Sequence, residues 1–182
     1  MLIPMVLLTG LTLGQTPARQ TPFQSPYPIE DMRGTQAVLE TSEGTIVIDL
    51  LAEAGVYDGV GVHRVAPDFV VQTGAMNFRA TPLTVRQQRL VGNLPPEFTN
   101  TPNVSGVVSM ARGDAPDSGS TSFFICSATC LSLDGNYTAF ARAAAGLDVL
   151  AAIASVPVDD ETPRTPITLI RARVEKRAAP GP

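Results

Sequence analysis

The sequence has little with which to bind a metal or form disulfide bridges: its 182 residues include one histidine and two cysteines. A structural zinc site takes four ligands, mostly cysteine and histidine, so we predict no metal site and no other cofactor. Cys126 and Cys130 are three residues apart, which does not match a CxxC redox motif. Two interpretations remain open: a pair of small buried thiols, or a local disulfide in an oxidising compartment.

Lysine is nearly absent, and Lys176 is accompanied by arginines that are scattered along the chain. The formal net charge is -4, and no basic stripe marks a surface for a phosphate backbone, so we predict no nucleic-acid partner. The 16 prolines and 15 glycines favour short strands and turns over long helices. Length and a hydrophobic content of 44% indicate one mainly β domain with tails, and we expect a monomer.

The longest apolar run, residues 2–13, is too short to span a membrane. Its length suits the apolar part of a signal peptide, although no Lys or Arg precedes it. We therefore predict that residues 1–18 are a signal peptide, which would export the protein to the periplasm, cell envelope or extracellular space, or else an uncleaved hydrophobic leader. Residues 19–34 are predicted to form a proline-rich linker, 35–176 the folded domain, and 177–182 a tail.

Alternating apolar and polar residues predict two hairpins in the folded domain. The first covers residues 37–51 around a Ser-Glu-Gly turn, and the second covers 62–74, VHRVAPDFVVQTG, turning at residues 66–68. Further strands are predicted at 105–110, 122–126, 137–142 and 167–174. Helical spacing of apolar residues predicts a helix at 146–155, and residues 78–98 are predicted to be a long surface loop.

The second predicted hairpin brings Arg64, Phe69 and Gln72 near one another. A guanidinium beside an aromatic ring and an amide suits a surface that binds a carbonyl next to an apolar group. Taken alone, an arginine such as Arg64 in a strand is more often a solvated or ion-paired surface residue, and Gln72 could be an ordinary polar residue of a strand. The single histidine, His63, is interpreted as structural.

Five motifs, taken together, resemble the cyclophilin family of peptidyl-prolyl cis-trans isomerases. Residues 57–74, YDGVGVHRVAPDFVVQTG, are similar to the family's YDGxxFHRVxxxFxxQGG signature. The others follow in the family's order and spacing: GVVSMAR at 106–112, SFFI at 122–125, LDGNYTAFAR at 133–142 and GLDVLAAI at 146–153. The resemblance covers residues 36–175 and is carried by the combination of these motifs.

The resemblance implies an eight-stranded antiparallel β-barrel with helices capping its ends and a peptide groove on its outer face. It implies that Arg64 is the catalytic residue. The residues it places in the proline pocket and groove are Phe69, Val70, Gln72, Met110, Ala111, Arg112, Phe124, Leu133 and Tyr137. It also implies isomerisation of Xaa-Pro bonds in proline-containing peptides and unfolded proteins, which assists protein folding. The alternative is a non-catalytic peptide-binding or chaperone module on the same barrel.

Two departures from the family pattern affect these expectations. Only LAEAGV stands between Leu50 and Tyr57, where the family has a full helix, so we predict one capping helix instead of two. Either another segment covers that end of the barrel, or the chain is a destabilised variant. Ser122 and Ser132 stand where the family has glutamine and tryptophan, which predicts altered substrate specificity.

Overall fold

The structure, a computed structural model, describes residues 35–48 and 56–176. Three predictions fall outside these residues: the leader and linker at 1–34, the shortened connection at 49–55, and the tail at 177–182. Among the described residues, no helix is long and apolar enough to cross a membrane.

The fold is mainly β, as predicted, and one antiparallel sheet of nine strands dominates it. The strands are β1 Thr35–Thr41, β2 Gly44–Ile48, β3 Val60–Gly61, β4 Arg64–Ala66, β5 Val70–Thr73, β6 Val107–Met110, β7 Phe123–Cys126, β8 Ala139–Ala145 and β11 Thr168–Lys176. A separate small hairpin consists of β9 Val158–Asp159 and β10 Thr162–Pro163. The α-helices within the described ranges are α1 Val85–Gln88 and α2 Leu147–Ala154.

The order of the sheet is β3-β11-β1-β2-β8-β6-β7-β5-β4, and its two edge strands are consecutive in the chain. Only Val62 and His63 separate β3 from β4. The N–H of Val62 donates to Ile167 O at 2.8 Å, and the N–H of His63 donates to Gln72 O at 3.2 Å. The sheet therefore curls until its edges come together. If β3 and β4 are counted as one interrupted strand, the curled sheet has the eight strands that were predicted.

Both predicted hairpins are present. β1 pairs with β2 from Ala37 and Ile48 to Thr41 and Gly44, and β4 pairs with β5 from Arg64 and Gln72 onward. The second turn places Asp68 at a φ of 54°, in the left-handed region that aspartate tolerates better than most residues.

The inner face of the curled sheet encloses the main core, called the inner core below. Its members include Val65, Val71, Val108, Phe123 and Ile125, which alternate along their strands with residues of the outer face. Helix α2 covers part of this core, since its Leu150 and Ile153 are each 1% exposed. Full burial of such a side chain contributes about 1.5 to 3 kcal/mol, so α2 is held mainly by these two residues.

The predicted loop at 78–98 is partly ordered, because it contains α1. Thr84 caps this helix: its Oγ1 accepts from the N–H of Gln87 at 3.3 Å, and its own N–H donates to Gln87 Oε1 at 2.9 Å. This reciprocal pair is a capping box, and the Thr-x-x-Gln spacing is visible in the sequence. The prediction of an unstructured loop was wrong at this point.

Candidate active site

Strand register aligns three predicted site residues across the outer face of the sheet. Arg64 on β4 pairs with Gln72 on β5, and Gln72 pairs with Phe124 on β7. Residues paired in register point to the same side of a sheet. Because the neighbouring Val71 and Ile125 belong to the inner core, this row faces outward.

Apolar residues beside this row form a second cluster, called the outer cluster below. Its buried members are Ala66, Val70, Phe124, Cys126 and Cys130, and partly buried Phe69, Ala111, Leu133 and Tyr137 pack against them. Phe124 is 4% exposed, and the Tyr137 ring meets it edge to face with centroids 5.3 Å apart. Partly exposed side chains thus lie over a layer of buried apolar residues, which forms the floor of the outer cluster. Six of the nine predicted pocket and groove residues belong to this cluster.

Arg64 lies at the rim of this surface with its guanidinium already oriented. Its Nε donates to Oε2 of Glu161 at 2.7 Å, and its Nη2 donates to Oε1 of the same carboxylate at 3.3 Å. Its Nη1 donates to Gln72 Oε1 at 3.5 Å. The hydrogen bond from Arg64 lowers the pKa of the Glu161 carboxyl. Both side chains remain more than a third exposed, so the pair is accessible from solvent.

Gln72 continues the polar row away from Arg64. Its Nε2 donates to Ser122 Oγ at 3.3 Å, and Ser122 Oγ donates to Thr73 O at 3.1 Å. With its oxygen facing a cation and its nitrogen facing a hydroxyl, the amide has one favourable orientation. Ser122 thus takes part in fixing the Gln72 side chain.

A cavity of about 330 Å³ adjoins this polar row. Gln72, Ala111, Arg112 and Ser122 line it together with residues of the loops at 75–77 and 118–121. These loop residues carry no motif that marks them in the sequence, and the prediction did not include them. Their contribution follows only from the folded arrangement of the two loops.

Arg112, a predicted groove residue, also holds neighbouring loops. Its Nε donates to Asn136 O at 3.0 Å, and its Nη1 donates to the carbonyls of Gly113 and Asp114 at 2.9 and 3.1 Å. Its guanidinium carbon lies 5.1 Å from the centroid of the Tyr137 ring, within the range of a cation–π contact. Arg112 therefore fixes the position of Tyr137 at the edge of the outer cluster.

The side chain of Met110 lies elsewhere. Met110 pairs with Phe123, and it packs against the inner core together with that ring. Strand alternation places Ser109, and not Met110, on the outward row with Phe124. The predicted contribution of the Met110 side chain to the outer pocket is therefore corrected.

Sequence reasoning missed a buried polar network beneath the outer cluster. Asn103 is 1% exposed, and its N–H and Nδ2 donate to Asp134 Oδ1 at 2.7 and 2.9 Å. Ser109 Oγ donates to Asn103 Oδ1 at 2.9 Å. The network ties the loop that carries Leu133 to strand β6. In the sequence, Asp134 stands only within the LDGNYTAFAR motif, and nothing there indicates its contact with Asn103.

The two cysteines are free and buried in the floor of the outer cluster. The Cys130 thiol donates to Phe69 O at 3.1 Å. Burial raises the pKa of Cys126 to about 12 and also raises that of Cys130. The structure thus shows the buried thiols that were one of the two interpretations.

His63 lies next to Arg64 and stacks on Phe78, with ring centroids 4.7 Å apart. Burial, followed by the nearby positive charge of Arg64, lowers its pKa below the ordinary value of 6.5. The imidazole is therefore neutral near pH 7, in keeping with a structural role.

Sequence comparison gives the family. Residues 38–174 match the family model described as "Cyclophilin type peptidyl-prolyl cis-trans isomerase/CLD". A probable peptidyl-prolyl cis-trans isomerase of Brucella abortus (strain 2308) is 32% identical over 135 residues, which are 70% of this chain and 69% of the relative. A peptidyl-prolyl cis-trans isomerase of Schizosaccharomyces pombe is 33% identical over 150 residues, covering 74% of this chain and 95% of the relative.

Solved structures agree on the fold. A cyclophilin from Hirschia baltica has a TM-score of 0.62 at 22% identity, covering 76% of this chain and 73% of its own. A Cryptosporidium parvum cyclophilin, determined in the presence of the dipeptide Ala-Pro, has a TM-score of 0.63 at 17% identity, with coverages of 77% and 98%. With a family model matched over most of its length, this chain belongs to the cyclophilin-type peptidyl-prolyl cis-trans isomerases.

Proposed function

We propose that the outer face described above is the site at which this isomerase acts on Xaa-Pro bonds of peptides and unfolded proteins. In this proposal Arg64 is the catalytic residue and the outer cluster is the proline pocket. The observation that carries it is the register that sets Arg64, Gln72 and Phe124 side by side on one outward row.

Prolyl isomerisation requires no covalent chemistry from the protein. Rotation about an Xaa-Pro bond is slow because amide resonance is lost as the bond twists, and the barrier is about 18 to 20 kcal/mol. No covalent bond is broken, so no nucleophile is needed. The protein must hold the proline ring and stabilise the twisted amide more than either planar form.

The outer cluster suits the first task. Phe69, Leu133 and Tyr137 are partly exposed over the buried ring of Phe124, which gives an apolar seat for a pyrrolidine ring. Ring burial removes water from the amide, and this strengthens any hydrogen bond made to it. The Ala-Pro dipeptide used with the Cryptosporidium relative supports a proline-containing ligand for this chain too.

Arg64 suits the second task. A guanidinium has five N–H donors, and three of those of Arg64 are directed to Glu161 and Gln72. The remaining two, one on each Nη, are available to the prolyl nitrogen or to the rotating carbonyl. A hydrogen bond that forms fully only in the twisted state lowers the barrier without tightening the ground state.

The cavity beyond Gln72 extends the proposed groove. Its lining combines small and polar side chains, among them Ala111, Ser118 and Ser122. We expect it to receive a side chain of the bound peptide outside the proline pocket. Because Ser122 occupies the family's glutamine position, the preferred side chain should differ from that of relatives that keep the glutamine.

One observation favours the alternative function, a peptide-binding module without turnover. Arg64 is already paired with a carboxylate, and a carboxylate that withheld the guanidinium from the peptide would leave binding without catalysis. Both functions require the outer cluster to bind the proline ring. They differ only in what Arg64 does.

Exchange spectroscopy by NMR on an Ala-Pro peptide separates them. We expect the wild type to accelerate cis-trans exchange and Arg64→Ala to lose about a hundredfold or more in kcat, as for loss of a key charge-stabilising donor. Arg142→Ala, at an exposed position on β8, is the matched control and should retain full activity. Equal and uncatalysed exchange for the wild type and Arg64→Ala would refute catalysis. Broadening of the peptide NMR lines, which reports binding, without accelerated cis-trans exchange would support the binding module.

We also propose that the protein is exported, on the strength of the apolar run at residues 2–13 alone. Expression of the full chain in a bacterial host, followed by fractionation and N-terminal sequencing, tests this. A processed protein in the periplasm or medium supports export. An unprocessed protein in the cytoplasm contradicts it.

A further inference from the structure

The tip of the β9–β10 hairpin lies against the strand that carries Arg64. β9 and β10 are joined by Asp160 and Glu161, both at positive φ, 46° and 68°. A two-residue hairpin loop of this kind usually contains glycine or asparagine, because positive φ strains other residues. A glutamate held in such a strained position suggests that its side chain has a role there.

Two independent contacts fix this tip on β4. The main-chain O of Glu161 accepts from the N–H of Val65 at 2.6 Å, and the side chain of Glu161 accepts twice from Arg64. The N–H of Val65 belongs to an edge strand and points away from the sheet. Because this hydrogen bond already holds the backbone of Glu161 beside β4, the Glu161 side chain can bind the neighbouring Arg64 with little further loss of conformational entropy.

The carboxylate binds one particular edge of the guanidinium. It engages Nε and Nη2, while Gln72 engages Nη1 from the next strand. Two N–H groups, one on each Nη, have no partner among the described residues. Since a guanidinium is planar, fixing its Nε edge also fixes the direction of these two donors.

We propose that Glu161 is a positioning residue, which holds the Arg64 guanidinium so that its two unused N–H groups are directed to the twisted amide. Glu161 itself touches no substrate and acts only through Arg64. The inference rests on the proposed function, because it assigns a task to the arginine that the isomerase reaction needs. It also answers the alternative above: the carboxylate orients the arginine instead of withholding it.

The test measures kcat and KM for an Ala-Pro peptide with Glu161→Gln, Glu161→Asp and Asp160→Asn. We expect Glu161→Gln to lower kcat roughly three- to tenfold with little change in KM, because a partly exposed charged hydrogen bond is lost. Glu161→Asp should recover part of the loss. Asp160→Asn removes the same charge from the neighbouring turn position, where asparagine tolerates positive φ, and should behave as wild type.

A double-mutant cycle shows whether Glu161 acts through Arg64. Glu161→Gln should lower kcat no further when it is added to Arg64→Lys. An unchanged or raised kcat in Glu161→Gln, or an equal loss in Asp160→Asn, would overturn the inference while leaving the isomerase activity in place. A wild type without isomerase activity would instead remove the proposed function and this inference together.

Discussion

The ring of Tyr137 meets the ring of Phe124 edge to face, at an interplanar angle of 84°. The guanidinium of Arg112 lies over the Tyr137 ring, 5.1 Å from its centre. Tyr137 thus contacts both Arg112, whose guanidinium holds the neighbouring loops, and Phe124 in the buried floor of the proposed proline pocket.

This arrangement makes the aromatic ring of Tyr137, and not its hydroxyl, the important group. Tyr137→Phe should bind an Ala-Pro peptide like the wild type, whereas Tyr137→Ala should weaken binding about tenfold, since an aromatic pair contributes about 0.5 to 1.5 kcal/mol beyond burial. Titration followed by NMR measures both affinities. An equal loss in the two variants would point to the hydroxyl and contradict the prediction.

The pKa of His63 should lie below 6.5. Because the folded state disfavours protonation, this histidine contributes stability that is fully present above pH 6.5 and is lost as the pH falls from there to the folded pKa. The chain has one histidine, so its imidazole signals can be followed by NMR without ambiguity.

Arg64→Ala tests the causes of this shift in the His63 pKa. Loss of the positive charge should raise the pKa but leave it below the ordinary value, because burial is the larger cause. A pKa that is unchanged by this substitution would show that the two groups do not interact.

The buried amide of Asn103 should be important for stability. Asn103→Ala leaves the buried Ser109 hydroxyl without its acceptor, while Asp134 keeps the main-chain N–H of residue 103, and an unsatisfied buried group costs about 1 to 3 kcal/mol. Urea unfolding should therefore show a loss of about 1 to 3 kcal/mol. Asn100→Ala, at an exposed position in the preceding loop, is the control and should change the free energy of unfolding little. Equal values for the two variants would contradict the assigned network.

Neither cysteine should react readily in the folded protein. Burial raises the pKa of both thiols, and the thiolate is the reactive form. Alkylation by iodoacetamide at pH 8 should be slow in buffer and fast in guanidinium chloride. Rapid labelling of Cys126 or Cys130 without denaturant would show that the floor of the outer cluster opens.

The sequence predicted those parts of the site that depend on local pattern. Alternation sets the β4–β5 hairpin, and this alone brings Arg64 opposite Gln72. The same alternation along β6 places Met110 on the inner side with Val108, whereas the family resemblance implied a position in the groove.

Contacts between distant residues could not be predicted in this way. Glu161 is 97 residues from Arg64 and lies on a hairpin whose strands have two residues each, too short for any periodic signal. Asn103 and Asp134 are 31 residues apart, and in the sequence each is an ordinary loop residue. Their contact is visible only in the folded structure.

The hairpin tip that accepts the N–H of Val65 also bears on aggregation. An edge strand with free N–H and C=O groups is a template on which another extended chain can pair. Here the sheet curls so that β3 and β4 follow one another, and the tip takes up an outward donor of β4. The contact between Val65 and Glu161 therefore leaves one N–H fewer on the β4 edge at which another extended chain could pair.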